Sequence, residues 1–227
     1  MTQPAASALH DRTIAFIGGG NIAGALIGGL RRQGLDASSI RVAEPFEEAR
    51  ARLLAQYGVA AAPAADAALL AGCDLVVWAI KPQTFRDVAL AAGVLAPQAL
   101  HLSVAAGIPS DSIATWLGNQ RIVRAMPNTP ALVGQGMTGL FARPSVTADD
   151  RALVDQALAP TGQTMWLETE SQLDALTVLS GCGPAYVFYF IEAMVQAGTA
   201  LGLTAQQAQQ LAVVTFTGAA ARSPPAR

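Results

Sequence analysis

The stretch Thr13-Ile14-Ala15-Phe16-Ile17-Gly18-Gly19-Gly20-Asn21-Ile22-Ala23 decides the fold. Its first five residues, apolar and mostly β-branched or aromatic after Thr13, predict a buried strand. Three glycines follow at once, and from Ile22 to Gln33 apolar residues return at helical spacing, which predicts a helix opened by the glycine turn. Strand, Gly18-x-Gly20-x-x-Ala23 and helix, in that order, form the dinucleotide fingerprint. Gly18 permits the tight turn, Gly20 lets a pyrophosphate approach the backbone, and Ala23 lets helix and strand pack closely. The N–H groups at the helix start are left to bind phosphate.

Outward from that stretch, further apolar runs alternate with helical patterns. Strands are predicted at Ile40–Ala43, Asp74–Ile80, Ala99–Val104 and Arg121–Ala125, with crossover helices at Phe46–Tyr57 and Phe85–Ala92. Right-handed crossovers make this an α/β fold with a Rossmann-type doubly wound parallel sheet. Gln135–Ala142 reads as one more strand, and Pro144–Pro160 holds a helix opened by Thr147 with Asp149 and Asp150 in its first turn. After Glu168 the pattern is helical: Ser171–Leu179, Pro184–Leu201 and Thr204–Ala221. The expected division is a disordered lead-in at 1–11, a dinucleotide-binding domain at 12–167, a partial helical dimerisation and substrate domain at 168–221, and an irregular tail at 222–227. The last helix is apolar on more than one face and should be buried against other helices. The sequence supplies none after it and reads as stopping in mid-domain.

The chain has 227 residues, 13% of them charged, and a formal net charge of -2. With a mean hydropathy of +0.37, these values exclude a disordered chain apart from its ends. Fourteen Lys and Arg against sixteen Asp and Glu, with no basic cluster, argue against nucleic acid and anionic membranes as partners. The apolar stretches are broken by Gly, Asn, Glu or Gln before the roughly 20 residues of a membrane span, so a soluble protein is expected. Met1–His10 lacks the basic start and apolar run of a signal peptide, which points to the cytoplasm. Cys73 and Cys182 lie far apart, and His10 and His101 add no ligand spacing, so reduced thiols and no metal are expected.

Several polar groups fall at predicted strand ends. Glu44 follows the second strand where a dinucleotide fold places a group on the adenosine ribose; it reads either as a 2′-hydroxyl acceptor or as a solvated loop acid. Arg41 and Arg50 are close enough in sequence to offset its charge toward a 2′-phosphate. Lys81-Pro82 ends the strand from Asp74, and Lys81 reads as a contact to cofactor phosphate or ribose, or as a solvated charge. Ser103-Val104-Ala105-Ala106-Gly107 offers small residues to a flat ring, and Asn128 is the polar group of its strand end expected to point into the cleft. In Ser180-Gly181-Cys182-Gly183-Pro184-Ala185-Tyr186 the two glycines allow sharp turns, and Cys182 reads as a small buried thiol. Met137, Met165, Trp166 and Phe188–Phe190 read as core.

Five motifs in order make the resemblance specific. They are Phe16–Ala23, Ala79-Ile80-Lys81-Pro82, Ser103–Gly107, Arg124-Ala125-Met126-Pro127-Asn128-Thr129-Pro130 and Leu179–Tyr186. Over nearly its whole length the chain resembles the pyrroline-5-carboxylate reductase family. The resemblance implies a Rossmann domain, a helical dimerisation domain, a homodimer or higher homo-oligomer, and hydride transfer from NADPH or NADH to 1-pyrroline-5-carboxylate to give L-proline. It places the cofactor at Ile17, Gly18, Gly19, Gly20, Asn21, Ile22, Glu44, Ala79, Ile80, Lys81, Pro82, Ala105 and Ala106. It places Glu170 where an acidic residue borders the substrate and assigns no catalytic side chain; with the strand-end Asn128 and with Ser180, Glu170 makes up the expected substrate-binding set. Two departures are small: Cys182 replaces a usual Ser, and Glu44 a commonly small or polar residue. The large one is that family members continue past a helix like Gly218-Ala219-Ala220 into a Ser-Pro-Gly-Gly-Thr-Thr loop that binds the substrate carboxylate. The sequence therefore resembles a truncated or frameshifted member. The alternatives are a cofactor-binding remnant without turnover and a related β-hydroxyacid-type dehydrogenase, for which the positioned helical Lys is lacking.

Overall fold

The computed structural model describes Leu9 and residues 11–222. The expected lead-in falls mostly outside the described residues, at 1–8 and 10, as does the expected tail at 223–227. The chain divides into two compact units, Met1–Gly181 and Cys182–Arg227.

In the first unit, β1 (Ile14–Ile17) leads through the glycine turn into α1 (Asn21–Arg32). Then come β2 (Ile40–Ala43), α2 (Glu47–Tyr57), β3 (Ala61–Ala62), α3 (Ala67–Leu70), β4 (Leu75–Trp78), α4 (Pro82–Ala92), β5 (Leu100–Ser103), α5 (Ser110–Leu117) and β6 (Ile122–Met126). β7 (Gly136–Ala142), α6 (Ala148–Leu158), β8 (Gly162–Trp166) and α7 (Gln172–Leu176) complete it, followed by a π-helical turn at Thr177–Gly181. The eight strands form one sheet in the order β3-β2-β1-β4-β5-β6-β7-β8. The first six are parallel, β7 runs antiparallel to β6, and β8 is parallel to β7.

Alternation along the central strands feeds two cores, one on each face of the sheet. Ile14, Phe16, Leu75 and Val77 pack on one side with Leu26, Ile27 and Leu30 of α1. Ala15, Ile17, Val76 and Trp78 pack on the other with Phe85 and Ala89 of α4. Both faces are covered, which is why β1 and β4 read as continuous apolar runs. Pro82 occupies the first turn of α4, where its missing N–H costs nothing. Thr147 and Asp150 form a reciprocal capping box at the start of α6.

Four elements of this unit escape the sequence reading: β3, the one-turn α3, α5 and β8. β3 is two residues long, and β8 has half-buried and exposed residues in alternation with no fully buried position. α5 has eight residues and starts after Pro109, where the sequence holds no side-chain cap. The first unit also extends past Leu167, because α7 packs on β7: Leu176 lies so close to Gly139 that a β-carbon there would collide with it.

In the second unit, α8 (Gly183–Ala200) and α9 (Ala205–Ala221) form an antiparallel pair. Gly198 meets Ala208 near the connection, and the rings of Phe190 and Phe216 lie 6.3 Å apart farther along. Thr204 caps α9 through a box with Gln207. The expected burial of α9 is not observed in the single chain, where only Ala208 and Ala212 are buried. Phe188, Tyr189, Phe190 and Met165, read as core, are exposed. Two helices facing each other can cover only one stripe apiece, and these sequences are apolar beyond that stripe.

The sharp turn expected at Gly181 and Gly183 is absent, and neither glycine has a positive φ. Helix, π-turn and helix run on from Gln172 to Ala200, and the most apolar window of this 29-residue helix reaches a mean hydropathy of 1.4 with none of it buried. Contrary to the sequence reading, one helix is thus long and apolar enough to cross a membrane.

Candidate functional site

Because β1, β2, β4, β5 and β6 are parallel, the residues that follow them gather at one edge of the sheet: Gly18, Glu44, Ala79, Val104 and Pro127. This is where ligands bind open α/β sheets. Gly18 donates its N–H to the Ala43 carbonyl at 2.8 Å, and Ala79 donates to the Ile17 carbonyl at 2.8 Å, which ties the three central strand ends together. Gly18 has φ +98°, and a β-carbon there would collide with the Ala79 carbonyl and touch Ile80, so glycine is required on both counts. At Gly20 a β-carbon would meet nothing within 4 Å. Gly20 is exposed at the start of α1, and no side chain caps that helix. Open space in front of an uncapped twelve-residue helix fits a diphosphate, whose oxygens would complete the amides of the first turn.

Glu44 is 5% exposed, which overturns its reading as a solvated loop acid. Its Oε2 accepts from Gly19 N at 2.7 Å and its Oε1 from Phe46 N at 2.9 Å. A carboxylate offers about four lone-pair sites, so these two amides leave capacity for a vicinal diol. The two arginines read as neighbours of this charge part company. Arg41 turns to α3, donating to the carbonyls of Leu69 at 3.0 Å and Ala71 at 2.7 Å. Arg50 stays, donating to the carbonyls of Glu44 at 3.0 Å and Pro45 at 2.7 Å. Arg52 reaches the Gly19 carbonyl at 3.2 Å, a neighbour the sequence reading missed.

Ile17 is buried beneath the turn, while Asn21 and Ile22 open α1. Ala79 and Ile80 are half-buried, and Lys81 and Pro82 are exposed on the rim, with Lys81 as the residue before α4. Ala105 is buried, its N–H 3.3 Å from Ser103 Oγ, and Ala106 is exposed beside it.

The residues expected around the substrate do not form one group. Asn128 and Ser180 meet: Asn128 Nδ2 donates to Ser180 Oγ at 3.1 Å and to the Ser180 carbonyl at 3.3 Å, while Oδ1 accepts from Met137 N at 3.0 Å. The Asn128 amide, expected to point into the cleft, is engaged at both ends, joining the end of β6 to the start of β7 and the π-turn. Glu170 belongs to a different cluster. Its Oε1 accepts from Ser110 N at 2.6 Å and Arg124 Nη1 at 2.5 Å, and its Oε2 from Ser110 Oγ at 2.6 Å. Arg143 joins through Ser110 Oγ at 3.1 Å and Asp111. Burial would raise the Glu170 pKa, but the Ser110 hydroxyl, Arg124 and the Ser110 amide outweigh it and hold the carboxyl below its ordinary value. Arg124 was the visible sign of this cluster: a charge inside the apolar strand Ile122–Met126 has to be met by a partner.

Cys182 is exposed, not buried as expected, at the bend that precedes α8. Among the described residues no group of three or more His, Cys, Asp or Glu is placed to hold a metal.

Comparison with known proteins adds to this geometry. Residues 170–225 match a family profile described as pyrroline-5-carboxylate reductase dimerisation, and residues 13–107 one described as NADP oxidoreductase, coenzyme F420-dependent. A pyrroline-5-carboxylate reductase of Pseudomonas aeruginosa is 45% identical over 209 residues, covering 91% of this chain and 76% of that protein. One of Glycine max is 39% identical over 210 residues, covering 92% and 76%. Among solved structures, a pyrroline-5-carboxylate reductase from Coxiella burnetii superposes with TM-score 0.85 at 36% identity, covering 92% of this chain and 78% of that one. A pyrroline carboxylate reductase from Plasmodium falciparum with NADP bound superposes with TM-score 0.83 at 26% identity, covering 94% and 80%.

Proposed function

Since the chain belongs to the pyrroline-5-carboxylate reductase family, we propose that its glycine-turn edge holds NADPH or NADH and that the protein reduces 1-pyrroline-5-carboxylate to L-proline. The observation that carries this is the open cradle at Gly20 before an uncapped helix, in a chain 45% identical to a named reductase over 91% of its length. When bound, the reduced nicotinamide supplies a hydride to the ring C=N carbon. Everything else falls to the chain's own residues. Gly18, Gly19 and Gly20 bring backbone to the diphosphate, and the first-turn amides of Asn21 and Ile22 neutralise it. Glu44 accepts from the ribose diol with the lone pairs that Gly19 and Phe46 leave over. Lys81 supplies a positive charge on the rim, beside Pro82. Ala79, Ile80, Ala105 and Ala106, small or apolar, line the path of the flat ring without competing polar atoms, with Ile17 as the floor. Asn128 and Ser180, already joined, border the substrate on one side, and Glu170, held by Ser110 and Arg124, is the acidic residue at its border. No side chain is assigned as a proton donor; orientation of two bound molecules is the main contribution of the site.

The helical unit gives the assembly. We propose a homodimer, or a higher homo-oligomer, formed through the exposed faces of α8 and α9. A groove of about 430 Å³ on α9, lined by Leu203, Gln207, Leu211 and Val214, is part of that surface. The cytoplasm is the expected compartment for such an enzyme.

Loss of absorbance at 340 nm from NADPH and NADH with the imine as substrate, together with proline measured as product, tests the reading. Imine-dependent oxidation with stoichiometric proline supports it. Calorimetric binding without oxidation selects a cofactor-binding protein that does not turn over, and absence of dinucleotide affinity defeats the cofactor site altogether.

A further inference from the structure

We infer that Phe46 is the stacking platform for the adenine ring of the cofactor, a role that rests on the cofactor site proposed above. Phe46 is 73% exposed. Among the described residues of the first unit it is the one exposed aromatic side chain: Phe16, Trp78 and Phe85 are buried, and Tyr57, Trp116, Phe141 and Trp166 are half-buried. A lone exposed apolar residue is ordinary on a protein surface, so exposure alone decides nothing. The position and the mounting of the ring decide more.

Phe46 lies two residues beyond Glu44. Adenine is attached to the ribose carbon next to the one bearing the 2′-hydroxyl, so a ribose on Glu44 sets its base within a few ångströms of the residues that follow. Two Cα steps span at most about 7.6 Å, which keeps Phe46 inside that reach. The segment carrying the ring is held from several directions. Phe46 N donates to Glu44 Oε1, Arg50 donates to the carbonyls of Glu44 and Pro45, and Arg50 N donates to the Phe46 carbonyl at 3.1 Å. Pro45 fixes its own φ. A ring on a backbone ordered in advance loses little freedom when a second ring lies on it. The same Glu44 carboxylate therefore ties together the glycine loop, the ribose position and the mount of the ring.

The surroundings select the occupant. Glu47 and Glu48 follow Phe46 in the first turn of α2, and Pro45 precedes it, so the ring is not the centre of an apolar patch of the kind a protein partner covers. Two acids beside it repel phosphate and leave a neutral, flat, π-faced group as the suitable ligand. Adenine is that group, and stacking on an aromatic side chain needs no hydrogen-bond readout.

The test compares ligands that have adenine with one that lacks it. In the full chain, Phe46→Ala is expected to weaken NADH and NADPH by the same factor, about tenfold. Affinity for reduced nicotinamide mononucleotide, which has no adenosine, should not follow. Phe46→Trp should restore or tighten dinucleotide binding. Equal weakening of the mononucleotide, or a change under twofold for the dinucleotides while the wild type binds them well, overturns the stacking role and leaves the cofactor site standing. A wild type that binds neither dinucleotide overturns both.

Discussion

His101 is the one buried histidine of the described chain, and its environment makes stability depend on pH in a defined window. It sits on β5, fully buried, on the face of the sheet that holds Trp78 and Phe85. The Trp78 indole donates to Nδ1 at 3.1 Å, so the neutral ring carries its proton on Nε2, which has no partner within hydrogen-bonding geometry. Burial, with a smaller push from the Arg121 charge, outweighs the pull of the nearby Ala96 carbonyl and takes the pKa from 6.5 down to about 4. Above pH 6.5 the ring is neutral folded and unfolded, and its full stabilisation is present. Between 6.5 and about 4 only the unfolded chain takes up the proton, so stability falls as the pH falls, by roughly 3 kcal/mol over the window. Below about 4 both states are protonated and the slope from this group vanishes. The assay is urea unfolding followed by tryptophan fluorescence at half-unit steps from pH 7.5 to 4. The comparison is His101→Asn, which keeps an acceptor for Trp78 and removes the titration. The variant is expected to be less stable at neutral pH, from lost packing, yet to lose about 3 kcal/mol less than the wild type between pH 6.5 and 4. Parallel profiles would mean that His101 takes up its proton equally in the folded and unfolded chain, and the reasoning from burial would fail.

Glu44→Ser should raise the affinity ratio of NADPH to NADH, on the order of tenfold, if the carboxylate stands beside the 2′ position as proposed; an unchanged ratio in calorimetry with both cofactors would place Glu44 away from the ribose. Gly18→Ala should abolish dinucleotide binding and lower the melting temperature, since the added carbon both strains a +98° φ and strikes the Ala79 carbonyl; near-native binding would show that the turn relaxes. Leu211→Glu, on a side chain 57% exposed in the single chain, should shift sedimentation toward monomer without changing far-ultraviolet dichroism. An oligomer that survives the charge would put the interface elsewhere.

The central sheet was legible because its strands are buried on both faces, so the apolar runs at Ile14–Ile17 and Leu75–Trp78 stand out without any alternation to interpret, while Leu100–Ser103 shows through its alternating leucines. β8 was not, because an edge strand with no fully buried residue leaves no such run. The glycine turn was legible in its backbone, since the tight turn read at Gly18 needs the positive φ that only glycine adopts freely. Long-range pairings were another matter. That Glu44 would turn inward to Gly19, 25 residues away, and that Glu170 would close on Ser110 and Arg124, 60 and 46 residues away, depends on which strand ends the topology sets side by side. Sequence can say that Arg124 needs a counter-charge. It cannot say which carboxylate supplies it.

The helix from Gln172 to Ala200 shows why composition alone does not settle an apolar segment. Three environments fit a helix of this length and hydropathy: the core of the same chain, lipid, and another subunit. The described residues do not supply the first for α8, which has no buried residue of its own among them. Lipid would have to surround an antiparallel pair, and α9 opens with the exposed Gln206, Gln207, Gln209 and Gln210 around Ala208, the residue that Gly198 of α8 meets. Four amides in two turns are costly in hydrocarbon, where unpaired polar groups find no water. The pair instead spends its small residues on internal contact, Gly198 against Ala208 with Ala212 buried behind, and turns Phe188, Tyr189, Leu211 and Val214 outward. That division of small residues inward and large residues outward is what a helix pair needs when a second protein surface, wetted at its rim, completes the burial. The match of 170–225 to a dimerisation profile agrees with that occupant. The same face that passes for a membrane span by hydropathy is, on the arrangement of its side chains, better suited to a second copy of the chain.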